Sequence, residues 1–485
     1  MTGASRQAAL AIRRPPGRRA DHHSRYENAM RWLALAMLAS VVTVPDRALA
    51  HGLLKSSTPT AGAHLVNAPS AIVLTFSEPP SMSVTSMRLV APDGSDVALG
   101  AITRDTSADF SITAAVSVAL TSGVYAVHWQ MAGDDGHPTR GSFQFTLSLP
   151  QSMAGSPMEA DQIHENPISQ PISAAFDVES PAYVAIRWLQ YGALVVLIGA
   201  VAFALLVLAR VQPMADALLT VPDARARAAR IAIWATLLLA ATALFRLFAQ
   251  SYALHGVSLA PDIPLIGTLL RVTQWGQAWV LEMVAVLVAL YAFRRARAGS
   301  LAAWRVAAAC ACAIVLAMAL SGHAAASPRL LTLAILADSL HILGAGGWLG
   351  SLLFVILAGV PATLAVDPAL RWRTVANLVD AFSPTALVFA ALTAITGVFA
   401  AWLHIENIPA LWQTRYGQVL LLKLAVLSVT AGIGLYNWQR VTPILDAGPD
   451  GTRRLKRSAA AELGVGILVL LLTAVLVATP TGMDM

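Results

Sequence analysis

Eight long apolar runs fill the second half of the chain, and they limit its possible folds more than any other feature. Each run is near or above 20 residues, the length of helix that crosses about 30 Å of hydrocarbon. The predicted segments, named spans 1 to 8, are 182–208, 228–250, 276–293, 302–321, 330–358, 380–403, 417–438 and 460–479. Only 12% of the residues are charged, against about 25% in soluble proteins. The sequence therefore predicts a polytopic α-helical membrane bundle within a lipid bilayer.

The basic residues between the spans predict the orientation of this bundle. The loops after spans 1, 3, 5 and 7 hold 15 of the 21 Lys and Arg residues after residue 181, whereas the opposite loops hold only Arg271, Arg329 and Arg415. Loops rich in Arg and Lys stay on the cytoplasmic side of the membrane. We therefore expect a multi-pass protein of the bacterial inner membrane, with the region before span 1 and the C-terminus both in the periplasm.

Residues 1–50 are predicted to be a leader with a signal peptide. Arg31 precedes an apolar run, and Ala48-Leu49-Ala50 has the small-x-small pattern that precedes cleavage. Met30 is a second candidate start, and an uncleaved signal anchor is the alternative interpretation. Cleavage after Ala50 makes His51 the first residue of the exported chain.

The region 51–148 has the pattern of an all-β domain. Apolar and small polar residues alternate in six predicted strands, 71–78, 83–92, 96–100, 110–116, 123–132 and 140–148. About seven short strands at this spacing predict a Greek-key barrel or sandwich. The segment 149–181 has five acidic residues and no Lys or Arg, which is typical of an extended linker. The membrane domain then covers 182–480.

Matching motifs predict an internal repeat in the membrane domain. TQWGQ at 273–277, before span 3, matches TRYGQ at 414–418, before span 7. In span 1, the segment from Leu189 to Gly199 aligns with the segment from Leu340 to Gly350 in span 5. Spans 1–4 and 5–8 are therefore predicted to be two parallel four-helix repeats, related by an axis along the membrane normal.

Several classes of partner are excluded by the sequence. The leader holds eight Arg and three acidic residues, so it accounts for nearly all of the net charge of +6. The rest of the chain has no excess charge to offer a nucleic acid backbone. No G-x-x-x-x-G-K-[ST] loop for a nucleotide occurs. Cys310 and Cys312, two positions apart on a predicted helix, point about 200° apart and are not predicted to bind a metal together.

A candidate metal site lies in the exported domain. The α-amine and imidazole of His51 can chelate one ion together, and Asp135 and His137 lie in the turn between the last two predicted strands. Three nitrogen ligands and one oxygen ligand suit tetragonal Cu(II). We expect Cu(II) binding at this site and no catalytic residues.

The segment 51–148 resembles the periplasmic copper-binding family CopC. The resemblance rests on the N-terminal histidine, L-x-x-S-x-P from Leu54, F-S-E ending at Glu78 and the D-G-H-P turn. It implies that His51, Asp135 and His137 are Cu(II) ligands, and that Glu78 lies nearby or coordinates weakly. No M-x-x-M run occurs, so a methionine-rich Cu(I) site is not expected in this domain.

Most of 182–480 resembles the inner-membrane copper protein family CopD. The shared motifs are T-x-Y-G-x-x-L-L-x-K at 414–423, N-x-x-R at 437–440 and H-x-x-x-x-x-x-W-x-G at 341–350. A fused CopC–CopD arrangement is a known architecture. The resemblance implies a copper-binding membrane protein of copper import, homeostasis or resistance, with copper ions and periplasmic copper proteins as partners.

Ionisable residues within the spans are candidate functional residues, because they are costly in a bilayer. Asp338, His341 and Trp348 are predicted to share one face of span 5, with His341 roughly 16 Å deep and oriented by Asp338. His255 and His404 end spans 2 and 6 on the outer side. Asp338 and these three histidines form the candidate membrane path, for copper as Cu(II) or Cu(I).

Two further predictions concern other polar residues of the membrane domain. Glu282 and Lys423 occupy equivalent positions in the repeat, and they are predicted to form a buried ion pair between the two halves. His323, in an outer loop, is expected to contribute little.

The function that accounts for both halves is capture of Cu(II) in the periplasm and its transfer to or across the inner membrane. Two alternatives from other classes remain. Transmembrane histidines could ligate haem b in a membrane redox protein, although only His341 is clearly deep. An N-terminal His with a second His also forms the copper brace of polysaccharide oxidases, but those need a larger domain with a broad aromatic face.

Overall fold

A computed structural model describes the two folded parts of the chain. The described residues are 54–77, 79–82, 85–104, 110–132, 138–149, 180–211, 217–255, 263–322, 330–363, 366–405 and 407–479. The leader, most of the linker, His323 and the four candidate ligands of the exported domain (His51, Glu78, Asp135 and His137) lie outside them.

Nine strands form a sandwich of two sheets. Strands β1 to β9 are Leu54–Thr58, His64–Leu65, Ala71–Phe76, Ser86–Val90, Asp96–Val97, Thr103–Arg104, Ser111–Ala115, Gly123–Ala132 and Pro138–Leu147. One sheet has the order β1-β3-β7-β6, and the other has the order β2-β9-β8-β4-β5. Of the two predicted architectures, the sandwich is confirmed. The sequence missed β1, β2 and β6, because their side chains are mostly polar and exposed and give no alternating apolar pattern.

Alternation of side chains builds the core between the sheets. Ile72, Leu74 and Phe76 are fully buried in β3, while the intervening residues are partly exposed. The rings of Tyr125 and Phe145 stack at 5.5 Å on the opposite sheet. Each such buried apolar side chain contributes roughly 1.5–3 kcal/mol. This core fixes the register of the strands that lead to the candidate metal site.

All eight predicted spans are present as helical stretches long and apolar enough to cross a membrane. Spans 1 to 8 cover Pro181–Val207, Thr220–Ser251, Gln274–Arg297, Leu301–Leu320, Leu331–Ala362, Leu370–His404, Arg415–Leu445 and Pro449–Ala478. The α-helices within and between them are Pro181–Ala202, Ala217–His255, Ile263–Val272, Gln274–Arg297, Leu301–Leu320, Leu331–Ala345, Ser351–Phe354, Val360–Ala362, Pro368–His404, Ala410–Gln413, Arg415–Tyr436 and Pro449–Ala478. Wider π-helical turns occupy Phe203–Val207, Gly346–Gly350, Val355–Gly359 and Asn437–Val441, and a 3-10 helix occupies Thr442–Ala447.

Spans 1 and 5 form the centre of the bundle. Their most apolar windows are 72% and 61% buried, against 11% for spans 6 and 7. They cross at Gly199 and Gly350, where a Cβ on either glycine would lie 2.2 Å from backbone of the other span. Small residues permit this close approach of two membrane helices. Because the two glycines are equivalent in the predicted repeat, their contact puts the repeat axis at this crossing.

The first turns of spans 3 and 7 have the same hydrogen bonds, which supports the repeat independently. The Thr273 hydroxyl accepts from the N–H of Gly276 at 3.0 Å, and the Thr414 hydroxyl accepts from the N–H of Gly417 at 3.0 Å. Each threonine also donates to the carbonyl four residues earlier, at 2.7 Å. In each copy, the glutamine at the end of the motif donates to the carbonyl six residues before it, at 3.0 Å.

Candidate metal centres

Three chain segments that lead to candidate ligands start from one end of the β-sandwich. Leu54, the first residue of β1, is paired with Phe76, the last residue of β3. His51 is three residues before Leu54, and Glu78 is two residues after Phe76. The ring of Phe76 meets the ring of Trp129 in β8 edge-on, at 5.2 Å between centroids. The end of β8 therefore packs beside the paired ends of β1 and β3.

The third of these segments is the connection between β8 and β9, which form a hairpin. Its register ends with Ala132 paired to Pro138, so residues 133–137, which include Asp135 and His137, form the connection. Ser57 of the L-x-x-S-x-P motif is buried and donates to the carbonyl of Pro59 at 2.8 Å. This bond holds the turn that follows β1. The described strands thus converge on the place where the sequence predicts the metal ligands.

The other histidines and methionines of this domain have different surroundings. His64 and His128 are exposed on β2 and β8. Met87 and Met131 are buried in the core, where their thioethers pack against apolar side chains.

His341 in span 5 has a fixed tautomer. Its Nδ1 lies 3.0 Å from the carbonyl oxygen of Thr393 and 3.1 Å from the hydroxyl of Thr396, both on span 6. Because a carbonyl only accepts, Nδ1 carries the proton and Nε2 carries the lone pair that a metal ion needs. A Cβ on Gly397 would lie 3.0 Å from Cε1 of the ring, so this glycine makes room for the imidazole.

Two predictions about span 5 need correction. Asp338 does not hold Nδ1 of His341, because the two threonines of span 6 do so. Trp348 does not share the surroundings of His341, since its indole donates to Glu462 of span 8. Trp348 itself lies within the π-helical turn Gly346–Gly350, whereas His341 lies in the regular helix before it. The extra residue in this π-helical turn rotates Trp348 away from the face that a regular helix would give it.

The predicted ion pair between Glu282 and Lys423 is also wrong. Glu282 is fully buried, and it accepts from Gln190 Nε2 at 2.8 Å and from Arg246 Nη1 at 3.3 Å. Lys423 interacts electrostatically with Asp338 and with His341. Glu282 and Lys423 therefore each interact with an opposite charge in their own half, because the alternative pair would leave Arg246 and Asp338 buried without a counter-charge.

The two halves place polar clusters at equivalent positions, with the charges exchanged. The alignment of spans 1 and 5 pairs Arg187 with Asp338 and Gln190 with His341, and that of spans 3 and 7 pairs Glu282 with Lys423. Tyr191 interacts electrostatically with both Arg187 and Asp338, so the clusters lie close together. In the first half, Glu282 is already paired by hydrogen bonds. Of the two described clusters, the one in the second half contains an imidazole, that of His341.

His404 lies at the C-terminal end of span 6 beside a cavity. Its Nδ1 is 2.7 Å from the carbonyl oxygen of Ala400, which again leaves the lone pair on Nε2. Its ring stacks on that of Tyr416 at 6.1 Å. The cavity has a volume of about 130 Å³ and is lined by His404, Ile405, Asn407, Ala410, Gln413, Thr414 and Tyr416. The helix of span 2 runs to His255, whose side chain lies outside the described residues.

Other groupings of metal-binding side chains are limited in the described parts of the chain. Within them, no group of three or more His, Cys, Asp or Glu residues is arranged to hold a metal ion. Cys310 is buried and Cys312 is exposed, which agrees with their predicted divergence around the helix.

Comparison with known proteins decides the family. Three family models match the chain: the CopC domain at residues 54–148, the Copper resistance protein D-like N-terminal domain at 177–331, and Copper resistance protein D at 376–476. The chain is a CopC–CopD fusion. It thus belongs among copper resistance and transport proteins, and its membrane half is of the CopD type.

Individual relatives resemble either the whole fusion or its first domain. The copper transport protein CutJ of Bacillus subtilis is 25% identical over 457 residues, which cover 93% of this chain and 78% of CutJ. Protein YobA of Escherichia coli K12 is 28% identical over 114 residues, which cover 24% of this chain and 91% of YobA. The crystal structure of PcoC, a methionine-rich copper resistance protein from Escherichia coli, is 30% identical with a TM-score of 0.19, covering 20% of this chain and 100% of PcoC.

Three buried charged residues of the fusion were not among the predicted site residues. They are Arg187, Arg246 and Glu462, which are 7%, 8% and 4% exposed. Each interrupts an apolar run, and that interruption was the sequence signal that could have marked it as a candidate site residue. Their partners lie on other helices far away in sequence, so the sequence could not assign them a role.

Proposed function

We propose that this CopC–CopD fusion captures Cu(II) in the periplasm and passes it to or across the inner membrane. In this proposal, residues 1–50 are a removed leader, 51–148 bind Cu(II), 149–181 link the two parts, and 182–480 form the copper path. The protein acts without catalysis. Periplasmic copper proteins are its exchange partners.

The observation that carries the outer part of the proposal is the convergence of β1, β3 and β8 at one end of the sandwich. The pairing of Leu54 with Phe76 and the contact of Phe76 with Trp129 support a common site for residues a few positions beyond them. Those residues are His51, Glu78, Asp135 and His137. An amine, two imidazoles and carboxylate oxygens favour Cu(II) over Cu(I), which is the softer oxidation state.

In the membrane half, the proposed copper path runs through two histidines that have the same tautomer. His404 lines the outer cavity, and His341 lies deeper, where Lys423 interacts with it electrostatically. Imidazole binds copper in either oxidation state, so both Cu(II) and Cu(I) are compatible with the path. Sites with one imidazole and few other ligands bind more weakly than the proposed four-ligand outer site. A decreasing affinity along the path favours release into the membrane half.

The proposal is tested by cellular copper content. A strain without the gene is expected to differ from the parent strain severalfold in copper per cell at low external copper, and the full gene should restore the parental level. The sign of the change gives the direction of transport. Equal copper contents at all external concentrations would contradict a transport function.

The orientation is a separate prediction. Reporter proteins fused within 210–227 or 441–457 should be active only as cytoplasmic reporters, because those segments carry Arg and Lys residues. A reporter fused after Met485 should be active only as a periplasmic one. A cytoplasmic C-terminus would contradict the even number of spans and the repeat.

A further inference from the structure

A buried carboxylate that the proposed copper path does not use lies where spans 5, 7 and 8 meet. Glu462 of span 8 is 4% exposed. Its Oε2 accepts from Asn437 Nδ2 at 3.0 Å, and the carboxylate also accepts from the indole of Trp348. Gly434 lets span 7 approach, since a Cβ there would lie 3.5 Å from Oε1. Three helices thus contribute to one enclosed carboxyl group.

Both donors to Glu462 come from π-helical turns. Trp348 lies within the turn Gly346–Gly350, and Asn437 begins the turn Asn437–Val441. A π-helical turn is unfavourable and is often found at functional sites. In this bundle, two such turns direct hydrogen-bond donors toward one carboxylate. Packing alone does not require that arrangement.

Glu462 has no positive partner among the described residues, which distinguishes it from Glu282. Its described hydrogen-bond partners are the neutral groups of Asn437 and Trp348, and no charged group acts on it. The titratable groups on the helices packed against it are Tyr183, Arg187 and Tyr191 on span 1, Asp338 and His341 on span 5, Arg371, Arg373, Asp380 and His404 on span 6, and Arg415, Tyr416, Lys423, Tyr436 and Arg440 on span 7; those of its own helix are Asp450, Arg453, Arg454, Lys456 and Arg457. An ionised carboxylate in this position would be a buried and uncompensated charge.

The amide of Asn437 indicates which form of the carboxyl group fits. Its Oδ1 is buried and has no hydrogen-bond partner. An ionised carboxylate only accepts hydrogen bonds, whereas a carboxylic acid has an O–H that can donate to the amide oxygen. If the amide is rotated by 180°, its oxygen faces the carboxyl group and again requires a proton there. In that orientation, protonation of Glu462 supplies the donor that the pair lacks.

We propose that Glu462, together with Asn437 and Trp348, is a proton-binding site of the membrane half. The carboxyl group is neutral at rest. During copper movement it releases its proton to water on the side of the arginine-rich loops, and it later takes one back. Glu462 is five residues from Arg457, about 8 Å along the helix, so that water is close. The coupling of proton release to copper movement rests on the proposed function, whereas the presence of the bound proton does not.

Span 5 provides the physical connection between the proton and copper. Trp348 is seven residues from His341 on this span, or about 10 Å. A shift of span 5 when His341 binds or releases copper would change the indole hydrogen bond to Glu462. Loss of that donor, or the entry of water beside it, alters the balance between the neutral and ionised carboxyl group.

Infrared spectroscopy of the full chain in lipid nanodiscs tests the bound proton directly. At neutral pH, we expect the carbonyl band of a protonated carboxylic acid to be present and to be lost in Glu462→Gln. Asn437→Leu should shift this band, because the acid loses its amide partner. Glu282→Gln is the matched control and should leave the band intact, since Glu282 is paired with Arg246. Identical spectra of the wild type and Glu462→Gln in this region would overturn the proposal.

The coupling is tested with the full chain in liposomes that contain a pH-sensitive dye. Copper movement by the wild type should be accompanied by a pH change, and Glu462→Gln should reduce that change at least tenfold. Copper movement by the wild type without any pH change would overturn the coupling. No copper movement by the wild type would contradict the proposed function, while the infrared band would still decide whether the proton site exists.

Discussion

Adding one residue before His51 is expected to abolish tight Cu(II) binding by the exported domain. The α-amine and imidazole of His51 can chelate one ion only while the amine is free and adjacent to the ring. An added residue moves the amine away and removes one nitrogen ligand. We expect the Kd to rise at least ~100-fold, or about 2.8 kcal/mol of binding free energy. Copper titration and EPR of the full chain with each N-terminus measure this change.

The matched controls for this prediction are histidines on the same domain. His64→Ala removes an exposed imidazole from β2 and should leave Cu(II) binding unchanged. His137→Ala should weaken binding as strongly as the added residue does. Equal affinity of the native and extended chains would show that the amine is not a ligand.

His341→Ala is expected to reduce copper movement through the membrane half at least tenfold without affecting Cu(II) binding outside. Thr393 and Thr396 fix the ring so that Nε2 carries the lone pair. Among the described residues, His341 is the histidine within the body of a span. Removing its side chain leaves no imidazole ligand at that depth among them. Uptake of radioactive copper by liposomes containing each variant measures the loss.

His341→Gln separates loss of the imidazole from loss of packing. Gln190 occupies the equivalent position in the first half and is buried there, so the repeat already accommodates glutamine at this position. This variant should fold and insert like the wild type and still fail to move copper. His323→Ala, in the outer loop, should have a mild effect. Normal copper movement by His341→Gln would exclude a path through span 5.

The sequence was sufficient for the two-part architecture because the spans and the strands of the buried core have local signals. The spans follow from the length of their apolar runs, and β3 follows from the alternation that buries Ile72, Leu74 and Phe76. The repeat was detectable because equivalent caps, such as Thr273 and Thr414, need the same short motif. The ligands predicted in the exported domain remain predictions, since they lie outside the described residues.

The pairing of buried charges could not be predicted, because it depends on contacts between distant helices. Glu282 was expected to pair with Lys423, but Arg246, 36 residues away, supplies its counter-charge. The orientation of Trp348 was missed for a different reason. Counting residues at 3.6 per turn assumes a regular helix, and the π-helical turn at Gly346–Gly350 breaks that count. The sequence showed no proline there to indicate the irregularity.

Copper flux into liposomes containing only the purified full chain tests the central claim most directly. With Cu(II) supplied on the side of the exported domain, the wild type should carry copper across the bilayer, and liposomes without protein should not. The chain extended before His51 should carry less copper at low concentrations, while His341→Gln should carry none above background. Absence of flux by the wild type, or equal flux by wild type and His341→Gln, would contradict the transfer of copper from the outer domain through the membrane half.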